Sequence, residues 1–585
     1  MKSIPPLISS RMAAVARLIR RRGVTGAIRK ALHVVRRDAR YQKWIASYDT
    51  LGVEAQAKLA QRVSSLTRPP LISIVVPVYN PPAALLTEMI ESVRSQIYPH
   101  WELCIADDAS PASHVRRILE EYRDRDPRIR VVFRECNGHI CHASNTALGL
   151  ATGDFVALLD HDDVLPCHAL AVVARYIEAY PHARLFYSDE DKISTAGRRS
   201  APYFKADWDP ELILQQNFFS HFGVFDTAVM RAAGGFRPGL EGSQDHDLVL
   251  RCARMVEARD IVHIPHILYH WRTLEGSTAV SVAEKPYAVA ASVAAVSGHL
   301  RALGNEAVVV PPSADFPFVR VEYPLPESLP MVHLVLLATG VSDAAAVANM
   351  LSLLTKTAYD NLRITLVGDV SAVSLPADWA ARVELSPADD LDAIDRRLTD
   401  DDDLVCVCDV RMVPMDDGWL HLLVRHALQP DVGLVGPAWF TRDGAVRAVG
   451  LAIAPPDRAV PVLPGDRVGD FGYFGWLLLT RTVSALSGGC LVTRLTQLRA
   501  AGGLRITQEA AWSVDLSFRM SAMGARNLVV PRAAVYDDVG EYGRPIDVKL
   551  DRRLLSDARY SPNLSLTDRA ADFGYARPPR INPLG

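Results

Sequence analysis

Three groups of carboxylates stand where apolar runs end. Asp160-His161-Asp162-Asp163 directly follows the run Phe155 to Leu159 (FVALL). Hard divalent cations take oxygen ligands, and carboxylates at a strand end present them rigidly. A cation held there stabilises the charge that develops on a departing diphosphate. A solvated acidic turn or a helix N-cap has the same composition, so both readings stand for this group alone. Asp107-Asp108-Ala109-Ser110 follows Trp101 to Ala106 (WELCIA). A carboxylate there can accept a hydrogen bond from a base imide or a ribose hydroxyl, or cap the next helix. Asp245-His246-Asp247 opens an apparent helix, DHDLVLRCARM, whose Leu248, Val249 and Leu250 face inward. A carboxylate at such a helix start can act as general base on an acceptor hydroxyl. It is also favoured there by the helix dipole. Three such groups in one unit are harder to assign to capping than one.

The elements that must position them are strands alternating with helices. Arg68-Pro69-Pro70 marks a boundary. Leu71 to Val78 (LISIVVPV) has the β-branched content of a strand buried on both faces. Pro81-Pro82 opens a helix to about Gln96. Trp101–Ala106 is a second strand, a helix follows near 113–124, and Ile129–Phe133 is a third strand. A helix over about 142–150 leads to a fourth strand at Phe155. This alternation predicts a parallel α/β sheet. In such sheets ligands bind beyond the strand C-termini, where the carboxylates stand.

A second α/β block starts near Met331, after a proline-bearing loop over 310–330, and is a weak copy of the first. Ser92–Ser110 is matched by Ser352–Ser371 with one extra residue. Gly234-Gly235-Phe236 is echoed by Gly502-Gly503-Leu504. Asp247-Leu248-Val249-Leu250-Arg251 is echoed at the same offset by Asp515-Leu516-Ser517-Phe518-Arg519. Duplication is the simplest account.

At 585 residues the chain is too long for one core, and a net charge of −3 gives no global attraction to nucleic acid. Through Lys43, however, twelve basic residues face a single acid, Asp38. Residues 11–46 have helical spacing, with Gly23 and Gly26 as expected interruptions. A basic amphipathic segment of this kind lies on an anionic membrane surface or docks on the protein body. The eight cysteines show no paired zinc spacing. No disulfide framework is expected, and a reducing cytoplasm is the default. No apolar stretch reaches membrane-spanning length, and the N-terminus does not read as a signal peptide.

Five motifs occur in order: Val76-Pro77-Val78-Tyr79-Asn80; Asp107-Asp108-Ala109-Ser110; Asn137-Gly138 with Ala143-Ser144-Asn145; Asp160-His161-Asp162-Asp163; and Gly242 to Leu248 (GSQDHDL). The set resembles the family-2 glycosyltransferases of GT-A fold. Leu185–Lys192 (LFYSDEDK), Pro202–Trp208 (PYFKADW) and Leu268–Arg272 (LYHWR) resemble their O-antigen and rhamnosyltransferase-like branch. The resemblance implies an α/β, Rossmann-like GT-A fold, here duplicated. It implies an inverting transfer from a nucleotide-sugar donor to a lipid-linked or polysaccharide acceptor, on the cytoplasmic face of the membrane. Pro77, Tyr79 and Asn80 match the donor-nucleotide loop, and Asp107 or Asp108 the carboxylate that recognises the base. Asp160 matches the first aspartate of the DxD motif, near the ribose and the metal, and Asp162 the ligand of Mg²⁺ or Mn²⁺. Asp163 is a possible assistant, and Asp245 matches the catalytic base. Many relatives carry Glu before that base; here it is Gln244. His270 matches a further metal contact of some GT-A enzymes, or is a hydrogen-bonded histidine beside Trp271.

The domain expectation is a basic helical segment over 1–68, a catalytic domain over 69–310, a degenerate copy over 331–545 and a tail over 546–585. In the copy, Asp107 and Asp108 meet Gly368 and Asp369. Aligned on Pro166 and Pro414, the copy places Cys408, Val410 and Arg411 opposite Asp160, Asp162 and Asp163. Ser513 stands opposite Asp245. Two rival classes remain: a non-catalytic carbohydrate-binding scaffold, and a nucleotidyltransferase.

Overall fold

The computed structural model describes residues 28, 32, 35–273, 286–313, 316–338, 340–368, 374–387, 398–399, 403–454, 457–462, 467–506, 511–537, 542–548, 557–566 and 575–576. Most of the basic segment before residue 35, including Gly23 and Gly26, lies outside them, as does Asp369.

The first block is one sheet built from β1 (Ile72–Val78), β2 (Trp101–Asp107), β3 (Ile129–Phe133), β4 (Phe155–Leu158), β5 (Leu185–Ile193), β6 (Arg199–Tyr203), β7 (Gly223–Asp226) and β8 (Ile261–Arg272). Its order is β3-β2-β1-β4-β7-β5-β6, with β8 beside β5. The four strands read from sequence are parallel; β7 runs antiparallel to β4 and β5, and β8 is parallel to β5. Alternate residues feed two cores, as the pleat requires. Ile74, Val76, Leu103 and Ile105 pack with the helices Ala83–Arg94, Ser113–Arg125 and Ala169–Ala179. Val75, Cys104, Ala106 and Val156 pack with the helix His139–Leu150 on the other side.

The second block repeats this plan with β9 (Val332–Leu337), β10 (Leu362–Gly368), β11 (Val383–Pro387), β12 (Leu404–Asp409), β13 (Val432–Phe440), β14 (Cys490–Arg494) and β15 (Arg526–Asp537). The order β11-β10-β9-β12 is parallel. β14 then lies antiparallel between β12 and β13, and β15 is parallel to β13. The two sheets therefore share strand order and direction. A side-chain clamp is copied as well. Arg251 binds Asp247 and the carbonyls of Ala233 and Gly235; Arg519 binds Asp515 and the carbonyls of Ala501 and Gly503. The glycine pairs beside these clamps all have positive φ, which accounts for their recurrence.

The sheet register corrects one sequence alignment. Ile72 pairs with Phe155 in the first block, and Val332 with Leu404 in the second. Asp160 and Asp409 each stand five residues beyond those partners. Asp409 thus corresponds to Asp160, not Cys408, and Arg411 corresponds to Asp162. The turn up to Pro414 is one residue shorter than that up to Pro166, which shifted the proline-anchored reading.

The described residues toward the two ends of the chain pack on the body of the protein. Residues 35–48 are helical and dock through Tyr41 and Trp44, both buried. The expected C-terminal tail is threaded into the body where it is described. Ile546–Asp547 pairs with Arg458–Pro461, Asn563 Nδ2 donates to Asp189 at 3.0 Å, and the Tyr575 ring lies 5.6 Å from that of Tyr41. The blocks share an apolar core that includes Phe204, Leu212, Tyr473 and Trp476. At their junction Tyr203 stacks on Phe474 at 3.8 Å.

Candidate active site

The parallel strands β1, β2 and β4 deliver the predicted residues to one edge. Pro77 and Val78 close β1, Asp107 closes β2, and Asp160 follows β4. Pro77, Asp160, Ser220, His221, Gln244 and Asp245 line one cavity there. Another cavity, about 860 Å³ between Arg68, Asp154 and Arg231, opens at the N-terminal end of β4 and meets none of these groups.

Asp160 lies on the cavity floor with nearly half its side chain open to the cleft. Loss of bulk solvation raises its carboxyl above the ordinary range. Asp162 and Asp245 add to the rise, and His221 opposes it. The Asp162 carboxylate has no hydrogen-bond partner among the described residues, while its carbonyl accepts from Arg272 Nε at 2.7 Å. Asp163 is different. Its oxygens accept from Tyr269 Oη at 2.5 Å and from the Arg272 amide at 2.6 Å. It is buried, and burial together with the charges of Asp160 and Asp162 pushes its carboxyl well up. Asp163 holds the loop and is closed to a ligand.

His270 is not brought to this cluster. Tyr269 points at Asp163, and successive strand residues face opposite sides. His270 Nδ1 accordingly meets Asp191 at 2.6 Å, where Tyr41 and Arg199 bind the same carboxylate. The sequence expectation of a metal contact at His270 is replaced by a buried ion-pair network under the N-terminal helix.

At the ends of β1 and β2, Asn80 adopts positive φ, and its amide donates to Ser110 Oγ at 2.8 Å. Tyr79 is exposed. Asp108 is held by Arg134 Nε at 2.9 Å and by the Gly138 amide at 3.0 Å, which ties the Asn137-Gly138 motif to the end of β2. Asp107 accepts only a long contact from the Ser110 amide at 3.4 Å. Of the two, Asp107 keeps more capacity to accept from a ligand.

Asp245 stands in the first turn of the helix Gln244–Ala253. Its Oδ2 accepts from Asn217 Nδ2 and from Ser220 Oγ, both at 2.8 Å. Oδ1 has no partner among the described residues. Gln244 Oε1 accepts from the Gly242 amide, bracing the turn before the helix.

Sequence reading missed His221. Glu190 accepts from its amide and lies 3.1 Å from Nδ1, its ring stacks on Tyr269 at 4.5 Å, and Nε2 lies 3.9 Å from Asp160. Burial opposes its protonation. The hydrogen bond and charge of Glu190, with Asp160 and Asp163, outweigh burial and hold the imidazole up at about 9. Asn217, Ser220 and Glu190 were missed too, although Glu190 lies inside the quoted LFYSDEDK run.

The matching face of the second block is altered. Arg411 and Tyr542 close on Asp409, and Ser513, buried, takes the place of Asp245.

Comparison with known proteins agrees with this geometry. The family described as Glycosyl transferase family 2 matches residues 73–233. The chain is 38% identical over 564 residues to the uncharacterized protein y4gI of Sinorhizobium fredii, covering 88% of this chain and 60% of that one. It is 32% identical over 570 residues to the O-antigen biosynthesis protein RfbC of Myxococcus xanthus, covering 92% of this chain and 44% of that one. The chain thus spans less than two thirds of the length of either relative. It is 30% identical over 210 residues to the putative colanic acid biosynthesis glycosyl transferase WcaA of Escherichia coli, covering 34% of this chain and 74% of that one. With the motifs in order and the carboxylates gathered at one sheet edge, the chain belongs to glycosyl transferase family 2.

Proposed function

We propose that this chain transfers a sugar, with inversion, from a nucleotide-sugar donor to a hydroxyl of a growing surface glycan such as O-antigen or capsule. The observation that carries this reading is that Asp160 and Asp245, far apart in sequence, line the same cavity beyond the strand C-termini. Oδ1 of Asp245 takes the proton from the acceptor hydroxyl. The acceptor oxygen then attacks the anomeric carbon from the face opposite the diphosphate, and the bond to the diphosphate breaks to release the nucleoside diphosphate. Asp107 accepts from the base or ribose, beside the loop of Pro77, Tyr79 and Asn80.

The donor set suits Mg²⁺ or Mn²⁺. The Asp162 carboxylate has no hydrogen-bond partner among the described residues, and Asp160 stands two residues before it with nearly half its side chain exposed. Such ions are held by one or two carboxylates, with phosphates and water completing the shell. A bound ion would offset the charge on the departing diphosphate. Asp163 and His270 are not part of this set.

The relatives named for O-antigen and colanic acid biosynthesis support a surface polysaccharide as the product. A lipid-linked or polysaccharide acceptor, and work at the cytoplasmic face of the membrane, follow from that reading. The N-terminal helix supports membrane contact. Ile28, Leu32 and Val35 are exposed, whereas Tyr41 and Trp44 are buried. Arg36, Arg40 and Lys43 are exposed beside them. Among the described residues no helix is long and apolar enough to cross a membrane.

Incubation with a panel of nucleotide sugars and Mn²⁺ tests the reading. Slow release of nucleoside diphosphate without acceptor is expected, and EDTA should stop it. In a parallel incubation with nucleoside triphosphates and sugar 1-phosphates, pyrophosphate release would mean nucleotidyl transfer. Binding without turnover, with glycan acceptors supplied, would mean a scaffold.

A further inference from the structure

Asp245 depends on a segment that has little regular structure of its own. Asn217 and Ser220, which supply both hydrogen bonds to its Oδ2, lie in a stretch from Gln215 to Phe222 that is neither helix nor strand. Side chains, not a backbone ladder, must therefore fix it. Its far end is secured by the first block, where Glu190 and Lys205 hold His221. Its near end is secured by the second.

Three buried residues of the near end reach across the junction. Asp209 accepts from the Thr482 amide at 2.7 Å and from Thr482 Oγ1 at 2.8 Å. Glu211 lies 3.5 Å from Arg526. Gln215 forms a two-way bridge with the Thr480 backbone: Nε2 donates to the carbonyl at 2.8 Å, and Oε1 accepts from the amide at 3.3 Å. Asp209, Glu211, Gln215, Thr480 and Thr482 are all buried, so water does not compete for these bonds. Gln215 is two residues from Asn217. The segment is also pinned from the other side by His246, the neighbour of Asp245, whose Nε2 lies 2.7 Å from the Ile213 carbonyl. It is thus held between the second block and the helix that carries the base.

We propose that the second block is a positioning frame for the acceptor-side base: through Thr480, Thr482 and Arg526 it fixes Asp209–Gln215, so that Asn217 and Ser220 hold Asp245 with Oδ1 free to face the acceptor. Gln215 is the positioning residue at the junction. Two donors on one oxygen orient the carboxylate, and a tilted base loses reach to the hydroxyl proton. The catalytic side of this inference rests on the transferase reading; the mechanical side does not.

Amide hydrogen exchange on the full chain tests the mechanical side. Gln215→Leu and Thr482→Val should each speed exchange over 215–222 by about ten-fold, while β1, β2 and β4 keep their protection. Thr482→Ser, which keeps the hydroxyl, should restore slow exchange. Unchanged exchange in Gln215→Leu would overturn the frame, whatever the protein catalyses. Turnover tests the catalytic side. Gln215→Leu should lower kcat about ten-fold, with donor KM within about two-fold. In a background of Asn217→Ala with Ser220→Ala, adding Gln215→Leu should cause no further loss, because Gln215 acts only through those two donors to the carboxylate. Multiplying losses in that background would show that Gln215 does not act through Asn217 and Ser220, and would overturn its positioning role. A wild type that turns over no donor would defeat the transferase reading, and the exchange result would still decide the frame.

Discussion

Arg411 closes on Asp409 through two contacts, Nε to Oδ1 at 2.8 Å and Nη2 to Oδ2 at 2.5 Å, at the sheet position where the first block has Asp162 two residues after Asp160. A bidentate guanidinium is a strong, fixed partner for a carboxylate. The Arg411 amide also donates to Oδ1 at 2.8 Å, and Tyr542 Oη donates to Oδ2 at 2.6 Å. The copy therefore carries its own internal cation where the first block leaves a carboxylate free.

This contrast predicts opposite behaviour of two neutralising changes. Asp162→Ala should abolish turnover and metal-dependent donor binding with little change in Tm, since the side chain has no bond to lose. Arg411→Ala should leave kcat within about two-fold but lower stability by about 3 kcal/mol, because it takes the guanidinium from the buried Asp409 and leaves only the Tyr542 and backbone-amide bonds. Turnover assays and thermal melts of the two variants distinguish the roles. Full activity of the wild type after EDTA treatment would remove the metal from the mechanism.

A second prediction concerns pH and the junction between blocks. Burial, with Asp209 adding and Arg526 opposing, raises the Glu211 carboxyl from 4.5 to about 7. A carboxyl raised on folding contributes stability that is complete below its unfolded value and is lost as pH rises through the folded one. That window runs from about 4.5 to about 7 and corresponds to about 3 kcal/mol. Glu211→Gln should flatten this part of the profile, so its Tm relative to wild type should rise between pH 5 and pH 8. A constant difference across that range would contradict the assignment.

A third prediction concerns the N-terminal helix. Each basic residue near an anionic surface adds about 1 kcal/mol of attraction. Full-length protein should sediment with vesicles containing anionic lipid and release at high salt. Charge reversal of the exposed pair Arg36 and Lys43 should weaken this at unchanged Tm. Equal sedimentation with neutral vesicles would exclude an electrostatic contact.

Much of the architecture was legible because buried parallel strands are short apolar runs, and those from Ile72 to Phe155 lie where the runs do. The helix at His139 starts three residues before the expected 142, since Gly138 and His139 carry no apolar signal. The carboxylates were legible as strand-end residues, but their availability was not. Asp162 and Asp163 are neighbours of one type, and only the distant Tyr269 and Arg272 make Asp163 a structural anchor. His270 was misplaced for a related reason. β5 and β8 pair with two register shifts near Asp189, so the face each residue presents cannot be counted from sequence. Asn217, Ser220 and His221 sit in an irregular stretch without a period, and gain meaning only through Asp245 and Asp160.

The last prediction separates the two halves. Asp245→Asn keeps the size of the side chain and an oxygen for Asn217 and Ser220, so the fold should survive, but it removes proton acceptance. General-base catalysis contributes roughly 10²- to 10⁴-fold, and a kcat loss of that order is expected with donor affinity little changed. Asp515 occupies the copied clamp, not the copied base. It is 51% exposed and pairs with Arg519 at 2.8 Å, a contact of the class worth about 1 kcal/mol or less. Asp515→Asn should therefore leave turnover intact and shift Tm only slightly. The residue matching Asp245 is Ser513, buried in the first turn of the helix Trp512–Ala522, and it carries no carboxylate. Loss of transfer in a folded Asp515→Asn protein, with Asp245→Asn tolerated, would put the active site in the second block. Loss in both would make the second block a working transferase, against the closed pair of Asp409 and Arg411.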